Sequence, residues 1–300
     1  MRYCPKGVLA GLVALPLLGG ALSAAEPVVI NPKSAFPEGP VVVGDLLYYV
    51  QYGDSKVMTW DGKENQVFWE EAGCGPSAIV PYGQSFLVTC YDAGTLVVLS
   101  RDGKTESTFD KDKSGQGLLG PNDATADGKG GLFVTASGPW ESAPIVGKIY
   151  HLDAAGGLTA LADDLHYPNG IALSPDGRLL YVVESEAGRV VTFAVDESSG
   201  LSDRRSFVVI RQVDPASGVT AYPDGLKIGP DGNIYIGQYS LGRIVVVTPD
   251  GSFVEAIDVP SPAAPNLAFG KEGQIVYIMA VDDVNSAPYW GKVYSLARSP

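Results

Sequence analysis

Short apolar runs alternate with Gly-containing turns along almost the whole chain. Paired runs at residues 46–50 and 57–60, 85–89 and 96–100, 132–135 and 148–152, 179–184 and 190–195, 234–238 and 244–248, and 275–280 and 292–296 read as strands. Turns such as Pro175-Asp176-Gly177 and Pro230-Asp231-Gly232 carry the Asp-Gly chemistry of hairpins. No window has the apolar period of a helix. Ahead of each pair stands a recurring phrase: F-P-E-G-P at 36–40, G-P-S at 75–77, G-P-N-D at 120–123, Y-P-N-G at 167–170, Y-P-D-G at 222–225 and A-P-N-L at 264–267. Each time a proline is followed by a short polar residue: Glu38, Ser77, Asn122, Asn169, Asp224, Asn266. The phrase returns every 40 to 55 residues or so, a period typical of propellers and solenoids. A strand–turn–strand unit favours the propeller, here all-β with six blades. The third and sixth units repeat in detail, since Ser142-Ala143-Pro144 before Gly147-Lys148 matches Ser286-Ala287-Pro288 before Gly291-Lys292. Apolar residues 27–30 precede the first unit. They are expected to pair with the last blade and close the ring, hiding both end strands.

Composition adds class and compartment. Asp and Glu number 34 against 21 Lys and Arg, a net charge of −13 that disfavours nucleic acid or an anionic membrane as partner. The sequence opens with Arg2 and Lys6, an apolar run over residues 7–22, and Ser23-Ala24-Ala25. This is the pattern of a signal peptide over residues 1–25, with a single domain over residues 26–300 in a periplasmic or secreted protein. The run is short for a membrane span, and no other stretch approaches one. Cys74 and Cys90 flank a hairpin turning near Tyr82-Gly83, which sets them nearly opposite each other. An oxidising compartment makes a disulfide the better expectation, worth about 3 kcal/mol, with two small buried thiols as the alternative.

Several chemistries are absent. There is no G-x-S-x-G elbow, no H-E-x-x-H and no paired C-x-x-C. A G-x-G-x-x-G at Gly115, Gly117 and Gly120 neither follows a strand nor opens a helix. His151 reads as structural. His166 precedes Tyr167-Pro168-Asn169-Gly170 and is a candidate substrate contact, as are Trp140 and Trp290 on the longer loops of the third and sixth units. The polar residues of the six phrases would ring one mouth of the channel. Glu38 and Asp224 offer carboxylates, and Asn122, Asn169 and Asn266 amide oxygens, a set suited to a hard divalent cation. Ser77 and Asn266 also read as caps of their strands.

These phrases resemble the family of gluconolactonases, senescence marker protein and luciferin-regenerating enzyme. Glu38-Gly39-Pro40, the Tyr167 and Tyr222 phrases, and Asn266-Leu267-Ala268-Phe269-Gly270 stand in the family's order. The resemblance implies one divalent cation, calcium first with magnesium, manganese or zinc as alternatives, held by Glu38, Asn169 and Asp224. It implies a substrate-facing or water-linked Asn122 and hydrolysis of a small-molecule lactone, with Asp224 as the proton acceptor. It departs at Gly120, where the sugar-lactonase members carry an arginine, and at Val41, where tryptophan is usual. Those changes leave the cation site intact and open the question of substrate. A monomer or weak homo-oligomer is expected. The alternative is a non-catalytic propeller that binds a ligand or partner around a structural cation. A third reading, strictosidine-synthase-like chemistry, lacks a second well-placed base.

Overall fold

The computed structural model describes residues 26–218 and 221–298, so the expected signal peptide at residues 1–25 lies outside the described residues. The fold is an all-β propeller. The first sheet holds Pro37–Val43, Leu46–Gln51, Lys56–Trp60 and Asn65–Glu70, and the second Pro76–Tyr82, Ser85–Cys90, Thr95–Leu99 and Thr105–Phe109. The third holds Pro121–Ala126, Leu132–Ala136, Gly147–Leu152 and Leu158–Leu165, and the fourth Pro168–Leu173, Leu179–Glu184, Arg189–Val195 and Leu201–Val209. In each of the four, neighbouring strands pair in chain order and antiparallel.

The rest of the chain forms one eight-stranded sheet instead of two separate ones. Its two meanders, Pro223–Ile228 through Phe253–Asp258 and Ala263–Gly270 through Trp290–Ala297, meet only at Gln238 opposite Ala264. The reason is a close approach at Gly237, where a Cβ would stand 2.0 Å from the Pro265 carbonyl oxygen. Val28–Ala35 adds to the far edge, antiparallel to Trp290–Ala297, as the apolar residues ahead of the first unit suggested.

The innermost strand of every unit breaks register at its phrase: between Glu38 and Val41, Pro76 and Ala78, Pro121 and Ala124, Pro168 and Ile171, Pro223 and Leu226, and Ala263 and Asn266. A bulge re-aims a side chain out of the pleat. Here it accompanies the turning of the short polar residues towards one shared space. Hydroxyls on or beside the second strand of one sheet stitch it to the innermost strand of the next. Thr89 Oγ1 donates to the Asn122 carbonyl at 2.6 Å, Thr135 Oγ1 to that of Asn169 at 2.7 Å, and Ser137 Oγ to that of Pro168 at 2.7 Å. Ser77, on an innermost strand, also donates to the Pro121 and Asn122 carbonyls, so it bridges sheets and is more than a cap of its own strand.

Middle strands are covered on both faces because each sheet packs between two others. Leu132–Ala136 is buried throughout, and apolar residues fill every position but Thr135. Leu132 and Val134 face Leu87 and Leu96 of the preceding sheet, while Phe133 faces Leu180 and Val182 of the following one. Cys74 and Cys90 are joined in a disulfide, beside a hairpin whose turn sets Tyr82 opposite Ser85. Among the described residues, no helix is long and apolar enough to cross a membrane.

Candidate active site

The bulged strands surround a cavity of about 620 Å³. Glu38, Ser77, Asn122, Asn169 and Asp224 all reach its lining. Asn266 stands behind them and donates Nδ2 to Glu38 Oε2 at 2.7 Å, so from inside Ala263–Gly270 it orients a site carboxylate and does not cap the strand. The Gly39 N–H donates to the same oxygen. Glu38 Oε1 is buried with no partner among the described residues. Asn122 donates Nδ2 to Ser137 Oγ at 3.0 Å, which leaves its carbonyl oxygen as the open end of the amide. Beneath the site, Lys227 Nζ meets the buried Asp123 Oδ2 at 3.1 Å.

Both site carboxyls hold protons unusually tightly. Burial pushes Glu38 up to about 7, and the charge of Asp123 adds to this, against the Gly39 and Asn266 hydrogen bonds and Lys227. Burial also raises Asp224 well above the usual carboxylate range. Repulsion from Glu38 raises it further, and the Asn169 amide pulls the other way. Two buried carboxylates facing one space with an orphaned oxygen need a counter-cation or a proton. Two carboxylates with amide oxygens beside them fit a hard dication. Among the described residues there is no group of three or more His, Cys, Asp or Glu that could hold a metal, and the two carboxyls here stand beside amides.

The wall above this floor is aromatic. Phe36 packs against Tyr52 at 5.5 Å and Tyr239 at 5.7 Å. Tyr52 leads to Tyr91 at 6.4 Å and Tyr91 to Tyr167 at 6.4 Å. Trp140 stands edge-on to Tyr167 at 4.8 Å and to Tyr222 at 5.1 Å. The Tyr239 N–H donates to the Tyr222 carbonyl at 2.9 Å, so the belt comes back on itself. Tyr167 sits at φ +57°, and the turn is held by the His166 N–H on Glu184 Oε1 at 3.0 Å. Glu184 is buried and clamped by Arg189 and Arg204, each at 2.6 Å.

Of the three candidate substrate contacts on this side, Trp140 lines the cavity, and His166 and Trp290 do not. The His166 main chain supports the turn, and the cavity place goes to its neighbour Tyr167. Trp290 is the first residue of the last strand, paired with Ala35, and Lys33 Nζ lies 4.3 Å over its ring. Tyr289, one residue earlier, takes the cavity side.

The belt escaped sequence reasoning, although a signal for it exists. Phe36, Tyr167 and Tyr222 each precede the phrase's proline, and Tyr52, Tyr91 and Tyr239 each follow the second strand of a unit. Aligning units by the phrase would have grouped these six positions.

A family model for the SMP-30/gluconolactonase/LRE-like region matches residues 36–282. The chain is 27% identical to the pentonolactonase XacC of Haloferax volcanii over 249 residues, covering 81% of this chain and 80% of that protein. In structure it resembles a gluconolactonase of Xanthomonas campestris, with a TM-score of 0.75, 21% identity, and 95% and 93% of the two chains covered. It also resembles the calcium-binding protein regucalcin of Agrobacterium tumefaciens, with a TM-score of 0.72, 19% identity, and 91% and 93% covered.

Proposed function

The chain belongs to the SMP-30/gluconolactonase/LRE-like family, and from that premise we propose that it is an exported, cation-dependent hydrolase that opens a lactone ring. The observation that carries this reading is the buried pair Glu38 and Asp224 on the cavity floor, with Glu38 Oε1 left unpartnered. Glu38, Asn169 and Asp224 would hold a divalent cation, calcium before the others, which when bound supplies a Lewis acid for the lactone carbonyl and a countercharge for the oxyanion. Asp224 takes the proton of the attacking water; burial raises its basicity and a bound cation would lower it, so it serves by shifting between ligand and base. Asn122 presents its free carbonyl oxygen to that water or to the substrate. The aromatic wall keeps bulk water away from the floor. We further read the eight-stranded sheet as two blades, six in all in one domain over residues 26–300, because a single residue pair joins its halves.

The test is proton release from a panel of lactones, with the mature protein stripped of metal and then given calcium, magnesium, manganese or zinc. Turnover that vanishes on stripping and returns with one cation supports the reading, and Asp224→Asn should then abolish it. If the folded, cation-loaded chain turns over no lactone, the hydrolase gives way to a ligand-binding propeller. Export is checked separately by N-terminal sequencing of protein from the periplasm or medium, where a chain beginning near Glu26 is expected.

A further inference from the structure

Floor and wall of the cavity ask different things of a ligand. The floor carries the polar groups, among them Glu38 Oε1 and Ser185 Oγ, both buried without a partner among the described residues. The wall is mostly ring carbon, with six tyrosine hydroxyls among its rings. Three of its hydroxyls are already committed inside the protein: Tyr52 donates to Asp92 at 2.9 Å, Tyr91 to the Gly138 carbonyl at 2.7 Å, and Tyr167 to Tyr91 at 3.0 Å. None of the described lining residues is Lys or Arg. Gly120, where the sugar-lactonase members of the family carry an arginine, has no room for one. A Cβ there would stand 2.7 Å from Tyr91 Cε2, so the Tyr91 ring fills that space.

A ligand hydroxyl stripped of water against this wall meets mostly carbon and loses binding there. A planar apolar ring instead buries its own surface edge-on or face-on against the belt. The cavity, at about 620 Å³, is in the range of sites that enclose a ligand larger than one small ring.

Resting on the lactonase reading, we propose that the substrate is an uncharged lactone fused to or bearing an aromatic ring, and that Tyr91, Trp140 and Tyr222 select it over polyhydroxylated aldonolactones. Hydrolysis adds one water across the acyl–oxygen bond. The hydroxyl joins the carbonyl carbon, the ring oxygen leaves carrying a proton, and the new carboxylic acid ionises to release one proton.

Binding can be measured without turnover, using non-hydrolysable lactams and the calcium-loaded full mature chain. Titration calorimetry would compare dihydroquinolinone, an aryl-fused lactam, with gluconolactam. The aryl lactam should bind at least about tenfold tighter. Trp140→Ala should weaken it about tenfold while leaving gluconolactam unchanged, and Trp140→Phe should restore most of the loss. Trp140 is 41% exposed, so its truncation does not reach the core. Equal or tighter binding of gluconolactam, no binding of either lactam, or indifference to Trp140→Ala would overturn the proposal. The matching lactones, dihydrocoumarin and gluconolactone, separate it from the reading beneath it. Faster turnover of gluconolactone sinks the specificity and keeps the hydrolase. Tight aryl-lactam binding with no turnover of any lactone sinks the hydrolase and keeps the ligand class.

Discussion

Glu38 and Asp224 are charged groups placed where neither can be comfortable alone. Burial raises both, so the metal-stripped folded chain binds protons that the unfolded chain would release. The contribution of Glu38 is therefore fully present below its ordinary value of 4.5 and is lost as pH rises through about 7. Stripped protein should melt several degrees lower at pH 8 than at pH 5, and added cation should recover most of that difference. Thermal melts at both pH values, with chelator and with calcium, check this, and Glu38→Gln should flatten the stripped profile. A stripped protein that gains stability towards pH 8 would contradict the arrangement. Asn266 acts one step further out. Its amide holds Glu38 Oε2 at 2.7 Å and opposes the rise of that carboxyl. Asn266→Leu should weaken calcium binding at neutral pH by roughly 10–100-fold, as measured by calorimetry, because such outer partners typically carry that much affinity.

Strands reach the site through their bulges and through the contacts between sheets. A Cβ at Gly170 would stand 2.4 Å from the Leu226 backbone nitrogen, so the strand bearing Asn169 lies directly against the strand bearing Asp224. Gly170→Ala should force them apart, costing about 1–3 kcal/mol in urea melts and lowering cation affinity in the same variant. Thr135→Val removes the donor to the buried Asn169 carbonyl and should cost about 1–3 kcal/mol in the same melts. The paired apolar runs were legible in the sequence because middle strands are buried on both faces. Each of those runs lies within a residue or two of an observed strand. Outer strands were not legible. Thr105–Phe109 is exposed over four of its five positions, so burial imposes no alternation on it. Five of the six phrase residues that the recurring proline marks reach one cavity, and Asn266 stands behind them. The aromatic belt was not legible, because its members lie beside strand ends and in loops, outside the buried apolar runs, and only alignment of the units on the phrase groups six of them. Gln238 to Ala264 is a contact between units, and only the close approach at Gly237 creates it.

At the scale of the molecule, the site and the closure of the fold depend on the same stretch of chain. Val28–Ala35 pairs with Trp290–Ala297, and Glu38 follows three residues after Ala35. Asn266, from the last unit, then grips Glu38 at a sequence separation of 228. A cation held between Glu38, Asn169 and Asp224 would therefore tie the first, fourth and fifth units together, and Asn266 would add the last. Ligand that binds only the folded chain raises its stability in proportion to the logarithm of its concentration. Calcium should thus raise the melting temperature of a chain spanning residues 26–300. Deleting residues 26–35 exposes the edge of Trp290–Ala297 and frees the backbone leading into Glu38. The truncated chain should melt lower, and it should also lose most of the calcium-dependent gain, since its Glu38 is no longer positioned before the ion arrives. Melting curves of both chains across a calcium series decide this. An equal calcium gain in both would mean that the closing strand supports the fold without preparing the site, and that the phrase glycines, bulges and hydroxyl stitches set the carboxylates by themselves.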